Sequence, residues 1–135
     1  MVASGAMFDV SFSFRRPADL GVKNGRLAPC KRSPNCVSSQ ADPSDREHYI
    51  APLKASMEDV RKAVESLPRT RVVLAHPNYL YAEFRSRLLG YVDDVEFFFD
   101  GSAIQVRSAS RLGRRDFGVN RARIEQLRRM LTQRP

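Results

Sequence analysis

Residues 79–121, YLYAEFRSRLLGYVDDVEFFFDGSAIQVRSASRLGRRDFGVNR, decide the fold, because two turn signals inside them fix a strand register. Asp100-Gly101 separates two alternating runs, and a two-residue turn needs the positive φ that Gly adopts without steric cost. Strands over 93–99 and 102–108 then pair, with Phe99 opposite Ser102, Phe97 opposite Ile104 and Val95 opposite Val106. Leu89-Gly90, treated the same way, sets Phe84 opposite Val95, Ala82 opposite Phe97 and Leu80 opposite Phe99. The two turns assign the same residues to one apolar face. A third hairpin at Pro77-Asn78 adds 70–76 and places Val73 beside Ala82.

The other face follows from the period of two along a strand. Its rows read Thr70, Arg85, Asp94, Arg107; then Val72, Glu83, Glu96, Gln105; then Leu74, Tyr81, Phe98, Ala103. Arg85, Asp94 and Arg107 alternate in sign, which favours cross-strand pairing. Glu83 facing Glu96 is repulsive and raises at least one pKa unless a proton, a cation or the flanking arginines intervene. This open polar face, with Tyr81, Glu83, Arg85, Asp94, Glu96 and Arg107, is the leading candidate surface of action.

Outward from the meander, Ser56 with Asp59 three residues on predicts a capped helix whose stripe is Met57, Val60, Val64 and Leu67, ending at Pro68. Residues 48–53 read as a short strand. A last helix is announced by Asn120 as N-cap with Val119 and Ile124 as a staple, and Ile124, Leu127 and Leu131 form its apolar line. Arg121 with Glu125 and Glu125 with Arg129 make i,i+4 pairs on the wet side. Residues 1–45 read as an extended arm rich in Pro, Ser and Gly. Within it, the alternation over 8–14 predicts a strand that joins a sheet edge, its own or that of a second copy. The order is strand, helix, four antiparallel strands, helix: an α+β two-layer sandwich over 46–135 with both helices on one face, analogous to the TATA-binding-protein-like class.

In the loop before the last helix, Arg111 and Asp116 with Arg121 beyond them form a second candidate. A phosphate or carboxylate could dock at the helix start there, or Arg111 and Asp116 could brace the loop by bonding to each other. Cys30 and Cys36 do not match a zinc spacing, and His48 and His76 fall on separate elements, so no metal or other cofactor is expected. A disulfide between the two cysteines is sterically plausible, with two ordinary loop thiols as the alternative. No nucleophile elbow or triad order is present.

At 135 residues with 42% apolar side chains, the chain can bury one core. No run of about 18 apolar residues is present, which excludes a helical membrane span, and no signal-like apolar stretch opens the chain, so the expectation is a cytoplasmic protein. The net charge of +8 invites a nucleic-acid reading. Nineteen arginines account for most of the 23 basic residues, but they are scattered and no nucleic-acid motif accompanies them.

SPNCVSSQ at 33–40, AEFRS at 82–86, GYVDDVEF at 90–97 and RSASRLGRRDFGVNRARIE at 107–125 resemble the domain-of-unknown-function family numbered 1499, over about 19–131. That resemblance implies no particular activity, cofactor or catalytic residue. The residues themselves point first to a non-catalytic binding module that uses the polar sheet face for a small polar ligand, a peptide or another subunit. A carboxylate-pair enzyme using Glu83 and Glu96 is the alternative, and nucleic-acid binding through the arginines is the third. A homodimer through the N-terminal strand is compatible with the first.

Overall fold

The computed structural model describes residues 15–88, 90–113 and 115–133. The strand read over 8–14 lies outside the described residues. Three short strands precede the first helix: β1 (Val22–Lys23), β2 (Arg26–Leu27) and β3 (Cys36–Ser38). Helix α1 (Met57–Glu65) is followed by β4 (Thr70–His76), β5 (Tyr79–Arg85), β6 (Val92–Phe99) and β7 (Ile104–Ser110), and then by α2 (Val119–Thr132). The expected order of strand, helix, four antiparallel strands and helix is therefore present, and the class is α+β. Its leading strand is β3. Over 48–53, where Pro52 lacks an N–H to donate, the backbone makes only two single bridges, Tyr49 to Ser38 and Leu53 to Ile104.

The main sheet runs β3-β7-β6-β5-β4 with antiparallel neighbours. Its register departs from the sequence reading by two residues at both central hairpins. Phe99 lies opposite Ile104, Phe97 opposite Val106 and Val95 opposite Ser108, while Ala82 faces Val95 and Leu80 faces Phe97. The cause is loop length. Asp100 Oδ1 accepts the N–H groups of Ser102 and Ala103 at 2.9 Å each, which closes a four-residue loop and holds that exposed carboxyl down at a pKa of about 2. Between β5 and β6, Ser86 N–H donates to the Tyr91 carbonyl and Tyr91 N–H to Ser86 Oγ, so β5 ends at Arg85 and β6 starts only at Val92, beyond Gly90. At the third hairpin the two-residue turn is as expected, with His76 opposite Tyr79. A bulge between Val72 and Leu74 then puts Val72, not Val73, opposite Ala82, and turns Thr70 to the helix side. There Thr70 Oγ1 donates to the carbonyls of Val64 and Leu67.

A shift of two residues preserves the face of every side chain in β5, β6 and β7, whereas Thr70 and Val72, ahead of the bulge in β4, change theirs. Leu80, Ala82, Val95, Phe97, Ile104 and Val106 form one core with Val60 and Val64 of α1 and with Ile124 and Leu127 of α2. Ser56 caps α1 by accepting the Asp59 N–H at 3.1 Å, as its spacing predicted. For α2 the N-cap is Gly118 at φ 81°, and Asn120 lies inside the first turn. Asp116 does the capping, accepting the N–H of Gly118 at 2.8 Å and of Asn120 at 3.2 Å. On the outer side Glu125 pairs with Arg128 instead of Arg121 or Arg129.

Candidate functional site

On the face away from the helices, period-two alternation brings Tyr79, Tyr81 and Glu83 of β5 beside Asp94 and Glu96 of β6 and Arg107 of β7. The two-residue shift changes who meets whom: Glu83 is opposite Asp94, Tyr81 opposite Glu96, and Glu96 opposite Arg107. The facing of Glu83 and Glu96 expected from the sequence does not occur, and Asp94 is opposite Ala109 instead of Arg107. Arg111, just past β7, reaches back between the first pair. Its Nη2 donates to Glu83 Oε2 at 2.7 Å and to Asp94 Oδ1 at 2.8 Å, and its Nε to Asp94 Oδ2 at 2.9 Å. Tyr81 Oη donates to Asp94 Oδ1.

This face is also not open. Residues 15–21 lie over it: Arg16 Nε donates to Glu83 Oε2 at 2.9 Å, the Gly21 N–H to Glu96 Oε2 at 2.7 Å, and Arg107 Nη2 reaches Asp19 Oδ2 at 3.5 Å. Glu83, Asp94, Glu96 and Arg107 are consequently buried, Glu96 completely. Burial raises a carboxyl's pKa, and hydrogen bonds from cations lower it. At Glu96 burial wins over the Gly21 N–H, the Tyr79 hydroxyl at 2.5 Å and Arg107, and the pKa is raised. At Glu83 burial acts in the same direction, but Arg16 and Arg111 outweigh it and hold the carboxylate below its ordinary range. Burial, and next the carboxylate to which each one donates, Glu96 for Tyr79 and Asp94 for Tyr81, drive the two phenols well up, so both act as hydrogen-bond donors.

Arg107 is the exception to this satisfaction. Its guanidinium is buried, its two carboxylate contacts, to Glu96 and Asp19, are both 3.5 Å, and its Nε has no hydrogen-bond partner among the described residues. It lines a cavity of about 430 Å³ between the covering segment and the end of the sheet. Arg15, Arg16, Lys31 and Arg111 line the same cavity, against the carboxylates of Asp19 and Asp94, with Ser33, Asn35 and Ser110 as neutral polar groups. Cys30 and Cys36 are joined by a disulfide, their Cα atoms 5.7 Å apart, and the loop it closes supplies Lys31, Ser33 and Asn35 to the cavity wall.

Of the remaining sequence candidates, Arg85 is exposed at the end of β5, outside the cluster. Arg111 and Asp116 do not bond to each other: the first serves Glu83 and Asp94, the second the start of α2. Arg121 braces the loop before β3's neighbour Tyr49, donating to the carbonyls of Arg46 and Glu47 at 3.1 and 3.3 Å. Arg16, Asp19, Lys31 and Tyr79 were not singled out in the sequence. Tyr79 shares the parity of Tyr81 and was within reach of the same argument. The other three come from a segment with no periodic signal. Asn120, read as a cap, instead links three elements, with Oδ1 accepting from Ser108 Oγ at 2.6 Å and Nδ2 donating to Ser110 Oγ and the Asn35 carbonyl. Among the described residues no group of three or more His, Cys, Asp or Glu is placed to hold a metal ion, and no helix is long and apolar enough to cross a membrane.

A family model described as a protein of unknown function, DUF1499, matches residues 26–131, and the chain belongs to that family. No curated protein and no solved structure matches it.

Proposed function

We propose that this DUF1499 member is a non-catalytic binding module whose ligand is a small anion, a carboxylate or a phosphate, seated against Arg107 in the cavity beside the covered sheet face. The observation that carries this reading is the buried Arg107 guanidinium, which has an unpartnered Nε and only two contacts at 3.5 Å. A buried, under-bonded charge costs several kcal/mol, roughly, unless something supplies acceptors. The cavity lining adds Lys31 and Arg15, for which no ion pair is formed among the described residues, so the positive side is in excess. A planar guanidinium suits carboxylate and phosphate oxygens by its fork of donors.

The carboxylate cluster supports binding over catalysis. Glu83 is held ionised by Arg16 and Arg111, and Glu96 is sealed by Gly21, Tyr79 and Arg107, so neither is placed to exchange a proton with a substrate in the cavity. The cover at 15–21 also argues for a small ligand over a peptide laid along the sheet.

Thermal unfolding tests this. In a buffer free of both anions, titration with sodium phosphate or sodium acetate should raise the midpoint, since a ligand that binds only the folded chain stabilises it by RT ln(1+[L]/Kd). Sodium chloride at matched ionic strength should not. Lys31→Ala, at an exposed position, should weaken the rise while leaving the ligand-free midpoint in place. A midpoint indifferent to both anions overturns the proposal.

A further inference from the structure

Seven large apolar side chains are exposed among the described residues, and five of them, Leu88, Tyr91, Leu112, Phe117 and Val119, belong to two neighbouring loops or their edges. The β5–β6 loop and the β7–α2 loop leave the sheet at the same end, where the Arg111 N–H donates to the Val92 carbonyl. Tyr91, Leu112 and Val119 line one crevice of about 270 Å³. Leu88 and Phe117 stand beyond it, 90% and 94% exposed. Phe117 holds φ 53°, a region that bulky residues rarely adopt, in the turn that presents it.

The charge around this apolar end is predominantly positive; the exposed carboxylate that shares a second crevice with Phe117, Glu47, lies 3.7 Å from His48 Nε2. Arg87 and Arg115 are exposed within the two loops, and Arg69 and Arg85, joined by a backbone hydrogen bond of 2.9 Å, are exposed beside them. The two carboxylates that line the crevice are engaged elsewhere: Asp93 pairs with Arg123 at 2.8 Å, and Asp116 caps α2. A contiguous exposed apolar patch marks an interaction site.

We propose that this end of the molecule docks on an anionic lipid surface, with Leu88 and Phe117 entering the boundary between headgroups and acyl chains and the arginines meeting lipid phosphates and carboxylates. Two side chains almost wholly free of their own protein would need matching holes in a protein partner, whereas a fluid acyl layer needs none. Flanking arginines are the complement of a negatively charged leaflet, and apolar insertion combined with charge attraction is how peripheral domains hold a membrane without spanning it.

The chain contains no tryptophan, so Phe117→Trp supplies a single reporter. Vesicles of phosphatidylcholine mixed with phosphatidylserine should shift its emission to the blue and sediment the protein; phosphatidylcholine alone should do neither. Leu88→Ser with Phe117→Ser, both at exposed positions, should reduce sedimentation by about tenfold or more, given the apolar surface removed. Arg87→Ser with Arg115→Ser should reduce it and flatten its dependence on salt. Binding to anionic vesicles with unchanged reporter emission would place the contact elsewhere and overturn the proposal. So would undiminished binding of the apolar double variant, or no vesicle binding at all, the result expected if a protein covers this end.

Discussion

The two faces of the central sheet are both covered, one by α1 and α2 and the other by a segment as short as 15–21, and they are held by opposite means. The helix side is filled by Leu80, Ala82, Val95, Phe97, Ile104 and Val106, whose contribution depends on volume and depth but on no particular partner. The far side is filled by Glu83, Asp94, Glu96, Arg107 and Arg111, where every group requires a specific counterpart at bonding distance. Apolar packing tolerates an error of partner; buried charge does not.

That contrast is most sharply exposed by truncation. Phe97 is wholly buried between the sheet and the helices, so Phe97→Ala should destabilise by about 3–5 kcal/mol, through lost transfer free energy and the cavity left behind. Equilibrium urea unfolding checks it. A change below about 1 kcal/mol would mean that the helix face is not the core.

Arg111→Met tests the other face. The long apolar side chain preserves much of the volume, while Glu83 and Asp94 lose the donor at 2.7 and 2.8 Å that both depend on. Removing one partner of a buried charge cluster costs about 3 kcal/mol or more. Adding Glu83→Gln and Asp94→Asn to the same chain should then recover part of the loss, a non-additivity that double-mutant comparison measures directly. On the apolar face no second substitution of the same kind restores Phe97→Ala without refilling the cavity. Full additivity across the three polar changes would remove the distinction between the faces.

The same contrast explains what could be read from the sequence. Alternation fixed the face of each residue in β5, β6 and β7, and the face survives a register shift of two because the period is two. Partners do not survive it. Lengthening the Asp100 loop from two residues to four gave Glu96 Arg107 in place of Gln105, and the longer connection between Arg85 and Val92 set it opposite Tyr81 in place of Glu83; the sequence carried no signal of either length beyond Asp100's capacity to accept two N–H groups. The bulge after Val72 was likewise silent, since neither Val73 nor its neighbours are the Gly that often marks one. The cover over the polar face was the least legible of all. Arg16, Asp19 and Gly21 meet residues 67–88 positions away, and nothing local in the sequence announces such a contact.

Asn120 joins the two faces at their common end, accepting from Ser108 and donating to Ser110, Asp116 and the Asn35 carbonyl. Being buried and neutral, it should behave between the two regimes. Asn120→Ala leaves the Ser108 hydroxyl and the Asn35 carbonyl short of partners, a loss of about 1–3 kcal/mol. Asn120→Asp keeps the shape but replaces the donating amide with a carboxylate facing Asp116, and should be at least as damaging as the alanine. If the aspartate is tolerated better than the alanine, the amide donor is not what ties β3, β7 and α2 together.

The smallest expected effect separates two carboxylates of the polar face from one another by pH. Glu83 has a folded pKa below its ordinary 4.5, so its ionised form stabilises the fold: the contribution is present above the unfolded pKa and is lost as pH falls through the folded value. Glu96 is shifted the other way by burial, so its contribution is present below the unfolded pKa and is lost as pH rises through the folded value. In the wild type these slopes act on opposite sides of 4.5. Glu83→Gln should therefore flatten the acid side of the stability profile and lower the neutral plateau. Glu96→Gln keeps an acceptor for Gly21 and Tyr79, and should remove a decline that sets in above 4.5. Each change involves one proton, which limits its slope to about 1.4 kcal/mol per pH unit. Urea midpoints followed from about pH 3 to about pH 7 resolve slopes of that size. Superimposable profiles for the two variants would show that the arginines treat both carboxylates alike, and that the unequal sealing of Glu83 and Glu96 has no energetic consequence.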